Sequence, residues 1–296
     1  MKCGFIGIVG LPNSGKSTLL NEIIEEKITI VSSKPQTTRQ SLSGIKTTDD
    51  YQLVFFDAPG FVQPKKGLFE FLSKEFDNVI EKSDRILFMI THDQHDSLSF
   101  RQVLKKVEDT KKDVSYIFSK SDLNMNSFIS SLKEKLETKG EHCLTFSIKE
   151  KDKEPLYSFL QEIADQMPEE VGPLYDPEMI SLDRTRDIVG ELVREECFEQ
   201  LQKEIPFGLG VIIKSFKHEK GIPHIEANIV VDKESHKAIV IGKGGAQLKK
   251  IGQRSREKIE QFMGEKVYLG LYVAHKKNWM KNKNIMKEMG YDERRK

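Results

Sequence analysis

Residues 10–17 read Gly-Leu-Pro-Asn-Ser-Gly-Lys-Ser, between an apolar run, Cys3 to Val9, and a helical pattern, Thr18 to Glu26. This order restricts the fold sharply. A glycine loop that leaves the carboxyl end of a buried strand and feeds straight into a helix is the opening unit of an α/β sheet. The glycines let successive backbone N–H groups point at phosphate oxygens, and the helix adds the positive end of its dipole. In this pattern Lys16 reaches the β and γ phosphates of a nucleoside triphosphate and Ser17 ligates magnesium. Gly10, Asn13, Ser14, Gly15 and Thr18 complete the cradle.

Up to about residue 167 the chain continues as βα units. Short apolar runs at Leu42–Thr48, Leu53–Asp57, Arg85–Thr91, Val114–Phe118 and Cys143–Ser147 alternate with helical patterns at Leu68–Glu81, Ser99–Thr110, Met125–Lys139 and Lys153–Gln166. Six strands and five helices predict a mostly parallel, doubly wound sheet with helices on both faces and its ligand edge at the strands' carboxyl ends. The tight Asp49-Asp50 turn makes the second and third strands an antiparallel hairpin. Residues 168–180 hold three prolines and a glycine with no periodic pattern, and are read as a linker. From 181 to 296 the order is a long helix (Asp183–Glu204), strands at Leu209–Phe216 and Ile225–Asp232, a short helix (Glu234–Val240), a glycine-rich turn, a helix at Ala246–Met263, a strand at Val267–Val273 and a Lys-rich tail.

Charge divides along the same line. Residues 211–296 carry 20 Lys+Arg against 10 Asp+Glu, and residues 1–210 carry 27 against 36, a split that the overall net charge of +1 conceals. One part of the chain is therefore suited to a polyanion. The first apolar run is too short for a membrane span and is read as a buried strand rather than a signal segment, so the chain is expected in the cytoplasm. Cys3, Cys143 and Cys197 are far apart and suit reduced buried thiols.

Three further motifs specify the ligand of the first domain. Asp57-Ala58-Pro59-Gly60 follows an apolar strand, which puts Asp57 where it holds magnesium through water and the Gly60 N–H where it senses the γ-phosphate. Pro35-Gln36-Thr37-Thr38-Arg39 lies in the polar connection where nucleotide switches keep a threonine that closes over the metal. Ser119-Lys120-Ser121-Asp122 follows the fifth strand, and Asp122 can accept both the N1–H and N2–H of guanine, a pair adenine cannot make, while the Lys120 stem lies along the ring. Ser147 completes the base pocket. These residues point to GTP or GDP.

Together the motifs resemble the translation-factor-like GTPases, and the Pro-Gln-Thr-Thr-Arg run resembles the Era family in particular. The resemblance implies that Thr38 is the switch ligand of Mg2+ and that Asn13 helps hold a K+ ion beside the β and γ phosphates. Phe61 stands where Ras-like enzymes place a water-orienting glutamine, so slow hydrolysis is expected to rest on Lys16, Thr38, Gly60 and Asn13. Three residues depart from the family pattern: Ser119 replaces an asparagine, with expected loss of an amide that braces the P-loop; Ala58 replaces a threonine; and Ile148 replaces an alanine beside Ser147.

In the second domain, Ile241-Gly242-Lys243-Gly244-Gly245 links two helical patterns, with Leu248, Ile251 and Ile259 spaced toward a core. A Gly-x-x-Gly turn between helices resembles a KH domain, and the element order resembles its α+β, type II form. That implies a clamp on about four single-stranded nucleotides, with Lys249 and Lys250, and further along Arg254 and Arg256, extending the basic track. The tail from Lys276 is read as an RNA grip, a contact with an anionic membrane at the cytoplasmic face of the inner membrane, or a solvated segment. His92, Asp93, His95 and Asp96 are read as a polar loop rather than a metal set. Trp279 and Tyr272 either pack on a core or stack on a base. The resemblance to the Era family implies a monomer that binds the 3′ end of 16S ribosomal RNA and assists maturation of the 30S subunit precursor. The competing readings are a passive KH adaptor with a structural nucleotide, and a P-loop ATPase or kinase, which Asp122 disfavours.

Overall fold

A computed structural model describes residues 1–31, 34, 37–219 and 221–292. Pro35 and Gln36 of the switch motif and Arg294, Arg295 and Lys296 of the tail lie outside the described residues. The chain divides into two compact units: residues 1–26, 38–63 and 72–182, and residues 27–37, 64–71 and 183–296.

The first unit is built on six strands: β1 (Lys2–Gly10), β2 (Leu42–Thr47), β3 (Tyr51–Asp57), β4 (Arg85–Thr91), β5 (Asp113–Ser119) and β6 (His142–Phe146), in the order β2-β3-β1-β4-β5-β6. All neighbours pair in parallel except β2 and β3, which form the expected antiparallel hairpin with Leu42 opposite Asp57. Helices α1 (Lys16–Ile24), α2 (Leu68–Lys82), α3 (Leu98–Glu108), α4 (Ser127–Thr138) and α5 (Glu154–Asp165) join the strands. Phe76 and Val79 of α2, Phe100 and Val103 of α3 and Ile129 of α4 form one core with Val54, Phe56, Ile86 and Phe88 of the sheet. The alternate residues Leu53, Phe55 and Leu87 are also wholly buried, and α1 and α5 pack against β1 and β3. Covering both faces explains why β3 and β4 are buried at every position and read as continuous apolar runs.

The stretch expected to be a free linker is hydrogen-bonded to the sheet. Tyr175 N–H donates to Gln52 Oε1 at 2.9 Å, and Ile45 N–H on the outer edge of β2 donates to Ile180 O at 2.9 Å. Leu182 N–H donates to Ser43 Oγ at 2.8 Å. An edge strand left open would expose a row of unpaired amides, and this segment covers part of it. The boundary thus moves from residue 167 to residue 182, and residues 27–37 and 64–71 group with the second unit.

That second unit contains α6 (Thr185–Gln200), β7 (Leu209–Glu219), β8 (Ile222–Val231), α7 (Glu234–Ile241), α8 (Ala246–Met263), β9 (Tyr268–His275) and α9 (Lys283–Glu288). Strands β7 and β8 pair antiparallel, with a register shift between Ile213 and Ser215, and β9 pairs parallel with β8 along its other edge. Val189, Leu192 and Val193 of α6, Ile251 and Ile259 of α8 and Ile225, Ala227 and Ile229 of β8 share one core. The early part of the tail is ordered structure: Trp279 is 0% exposed, its Nε1–H donates to Gly208 O at 2.9 Å, and its ring lies 6.4 Å from that of Tyr291. Trp279 therefore packs and does not stack on a base.

Candidate functional site

The loop after β1 is shaped by its glycines. A side chain at Gly10 would meet Met89 O at 2.7 Å, and Gly15 sits at φ 93° at the N-terminus of α1. Asn13 is exposed and takes φ 65°, a region asparagine tolerates. Lys16 is 5% exposed; its ammonium donates to Leu11 O at 2.9 Å and to Ser14 Oγ at 3.4 Å. Burial pulls its pKa down to about 8, against the opposing pull of Asp57.

Asp57, at the end of β3, is 0% exposed, and burial pushes its pKa up to about 6 despite Lys16, Ser17 and Thr38 nearby. Ser17 Oγ–H donates to Asp57 Oδ2 at 2.5 Å, Ser17 and Thr38 hydroxyls are 2.8 Å apart, and Thr38 Oγ1–H donates to Asp57 Oδ2 at 3.4 Å. Three oxygens from three loops converge, and Asp57 Oδ1 is buried with no hydrogen-bond partner among the described residues. An all-oxygen donor set with an unsatisfied buried carboxylate atom fits a hard divalent cation such as magnesium. Both buried charges are incomplete in a complementary sense: Lys16 calls for an anion and Asp57 for a cation, which is what a magnesium-bound polyphosphate supplies.

Gly60 is held against the loop. A Cβ there would lie 2.7 Å from Pro12 N and Cα, and the next amide, Phe61 N–H, donates to Gly10 O at 3.1 Å. Ala58 and Pro59 are buried between them, and Ala58 N–H donates to Ile8 O at 3.0 Å. Phe61 packs edge-on against Phe76 at 5.5 Å and offers no side-chain hydrogen bond.

At the far end of the same sheet edge, Ser147 Oγ–H donates to Asp122 Oδ1 at 2.7 Å and Lys149 Nζ–H donates to Asp122 Oδ2 at 2.6 Å. Lys149 first, then Ser147, holds the Asp122 carboxyl below the usual carboxylate range. Lys120 takes φ 61°. Ser119 corrects the expectation of a lost brace: its hydroxyl donates to Ser14 O at 3.0 Å, so a single oxygen still ties β5 to the P-loop. Lys149 and Glu150 are contributors that the sequence reading missed, and His92, read there only as part of a polar loop, joins them. Glu150 Oε1 accepts from Ser147 N–H at 3.2 Å and from the Ser121 hydroxyl, and His92 Nδ1 lies 2.7 Å from Ser119 O. The one available signal was position: Lys149 and Glu150 fall in the loop that Ser147 opens. Of the polar group around His92, Asp96 pairs instead with Arg101.

In the second unit Gly242, Gly244 and Gly245 all take positive φ, 74°, 59° and 80°. Only glycine adopts this run without strain, and a Cβ at Gly244 or Gly245 would meet nothing within 4 Å, so the turn is open to a ligand backbone. Ile241 ends α7, and Lys243 is exposed beside the turn. A groove of about 480 Å3 follows, lined by Leu248, Lys249, Gly252, Arg256, Leu269 and Leu271 among others. Lys250 and Arg254 are exposed and are not part of its lining.

The chain matches a family model described as 50S ribosome-binding GTPase over residues 5–120 and one described as KH domain over residues 204–280. It is 40% identical over 303 residues to GTPase Era of Clostridium botulinum (strain Okra / Type B1), covering 98% of each chain. The chain belongs to the Era family of GTPases. Era of Clostridium kluyveri is also 40% identical, covering 98% of this chain and 99% of its own. Among solved structures, an Aquifex aeolicus Era variant bound to GDP·AlF4− superposes with a TM-score of 0.91 at 30% identity over 98% of this chain and 99% of that one. An Era complex with MgGDPNP and nucleotides 1506–1542 of 16S ribosomal RNA gives 0.90, also at 30% identity and with the same coverage. As an Era-family GTPase the chain hydrolyses GTP.

Proposed function

We propose that this GTPase binds the 3′ end of 16S ribosomal RNA in the groove beside Gly242–Gly245 and assists assembly of the 30S subunit, with GTP favouring the RNA-competent state and hydrolysis permitting release. The observation that carries this reading is the open three-glycine turn above a groove that mixes leucines with Lys249 and Arg256, in a chain whose full-length structural relative is bound to 16S RNA. Apolar walls suit base faces, and a basic rim suits the phosphate backbone.

In the nucleotide site, Gly10, Asn13, Ser14, Gly15, Lys16, Ser17 and Thr18 cradle the phosphates, and Lys16 neutralises charge that develops on the β and γ oxygens. Ser17, Thr38 and Asp57 hold magnesium, which when bound draws electron density from those oxygens. Asp122, flanked by Ser119, Lys120 and Ser147, selects guanine. With Phe61 unable to orient water, backbone groups of the two switch loops hold the attacking water and Gly60 N–H binds the γ-phosphate; Asn13 would help hold K+, which would supply positive charge for the transition state. Among the described residues no helix is long and apolar enough to cross a membrane.

The test is crosslinking of the full chain to total RNA with GTP or GDP bound, together with turnover measured in potassium and in sodium. Recovery of 16S 3′-terminal sequence with GTP but not GDP is the expected outcome. Equal recovery in both states overturns the switch, and equal rates in the two salts overturn the cation role.

A further inference from the structure

The three-stranded sheet of the second unit has one face on the core; on the other, Gly210, Ile212 and Val230 are buried, with Met289 and Trp279 against Gly210, and the half that carries Lys217, Glu226, Tyr268 and Tyr272 is open. Ile225, Ala227 and Ile229 of β8 and Leu269, Leu271 and Val273 of β9 face the core. The alternate positions line up across the strands on the other face: Lys217, His224 and Tyr268 on one rung, Ser215, Glu226 and Gly270 on the next, then the buried Ile212 with Asn228 and Tyr272. Tyr268 is 47% exposed and Tyr272 57% exposed, both on the edge strand β9. His224 stacks on Tyr268 with ring centroids 4.7 Å apart and planes 20° from parallel. The Tyr268 ring lies along the strand over Gly270, where a Cβ would sit 3.5 Å from its Cε1. A larger residue at 270 would crowd that ring.

We propose that this face is a second platform for single-stranded RNA, on which bases leaving the groove stack against Tyr268 and Tyr272. Continuity supports this occupant. β9 is the edge strand of its sheet, and its alternate residues Leu269 and Leu271 line the groove, so a strand that crosses this one edge passes from groove to platform. The chemistry of the face agrees. Among the described residues its exposed large side chains are tyrosines with polar rims, with no exposed aliphatic of the kind a protein partner buries. Lys217 is exposed at one end and supplies charge for a phosphate. Glu226 disfavours phosphate at the centre, so bases rather than backbone lie there, and its carboxylate accepts from the exocyclic amino groups of adenine, cytosine or guanine, which uracil lacks.

The inference rests on the RNA reading above, and its test separates the two. Affinity of the full chain, with a non-hydrolysable GTP analogue bound, is measured for a five-nucleotide and a twelve-nucleotide RNA of 16S 3′-terminal sequence. Tyr268→Ala or Tyr272→Ala is expected to weaken the longer RNA by about five- to 150-fold, from the typical worth of one base stacked on an aromatic ring, and to leave the shorter one unchanged. Tyr→Phe at either position is expected to retain wild-type affinity, because the ring and not the hydroxyl carries the contact. Unchanged binding of the longer RNA overturns the platform, as does an equal loss for both lengths. Variants that bind both RNAs normally but bind 30S precursor particles poorly assign the face to a protein and overturn it as well. Failure of the wild-type chain to bind the five-mer instead overturns the groove, while dependence of the twelve-mer on the tyrosines still decides the platform.

Discussion

Both units use one local device, a glycine at positive φ immediately before a helix, with Gly15 ahead of α1 and Gly245 ahead of α8. What surrounds the device differs completely. Around Gly15 the chain buries a lysine and an aspartate and brings the Ser17 hydroxyl and, from another loop, the Thr38 hydroxyl to the same point. Around Gly244 and Gly245 no described residue lies within 4 Å of where a Cβ would sit, and the neighbouring cation, Lys243, is solvated. The first arrangement stores unsatisfied charge that only a ligand of matching charge and shape completes, which gives chemical selectivity. The second offers access, ring and leucine surfaces and screened positive charge, which gives tolerance for a flexible strand. Glycine turns permit close approach; burial decides whether the visitor is selected atom by atom.

The largest expected effect separates the two units by stability. Trp279→Ala empties a fully buried site against Gly208 and Tyr291, and should destabilise the second unit by about 3–5 kcal/mol. Hydrogen exchange should report the loss in β7 to β9 while β1 to β6 and GTP affinity hold. A matching loss of GTP affinity would break the contrast. Selectivity in the first unit should be lost through one atom pair: Asp122→Asn turns a donor toward the N1–H and N2–H of guanine, and should weaken GTP by about 1–3 kcal/mol without strengthening or weakening ATP. Competition binding reads this directly, and parallel losses for both nucleotides would mean that Asp122 acts through the fold. The smallest effect sharpens the account of the P-loop. Ser119→Ala removes the bond to Ser14 O and should cost about 0.5–1.5 kcal/mol of GTP affinity, whereas Ser119→Asn should retain or raise it.

Where neighbours in sequence are also neighbours in space, reading was straightforward. The run from Ile241 to Met263 could be placed because helix, glycine turn and helix each carry a local signature, and α8 begins and ends where its periodicity does. The hairpin of β2 and β3 was legible for the same reason. Residues 168–182 were not, because backbone pairing to an open sheet edge requires no particular side chain and leaves no pattern. Nor was the fold of the tail: a lysine-rich composition hid Trp279, Met286 and Met289, whose burial depends on a sheet face formed by strands far earlier in the chain. Ser119 misled for a different reason. A shorter side chain was expected to lose the contact of a longer one, and the sheet places its hydroxyl within reach of Ser14 O.

From the sequence alone came a phosphate-loop pattern, an aspartate placed where guanine selection is expected of it, and a glycine-turn module of opposite charge, since each follows from residue types at short, regular spacing. Tertiary structure alone decided that Ser17, Thr38 and Asp57 meet at one point, that Lys149 shares Asp122 with Ser147, and that Tyr268 and Tyr272 stand exposed while Trp279 is enclosed. These outcomes depend on which strands become neighbours and which faces are covered, and that is set by the sum of many weak apolar contacts across the chain rather than by any local run of residues.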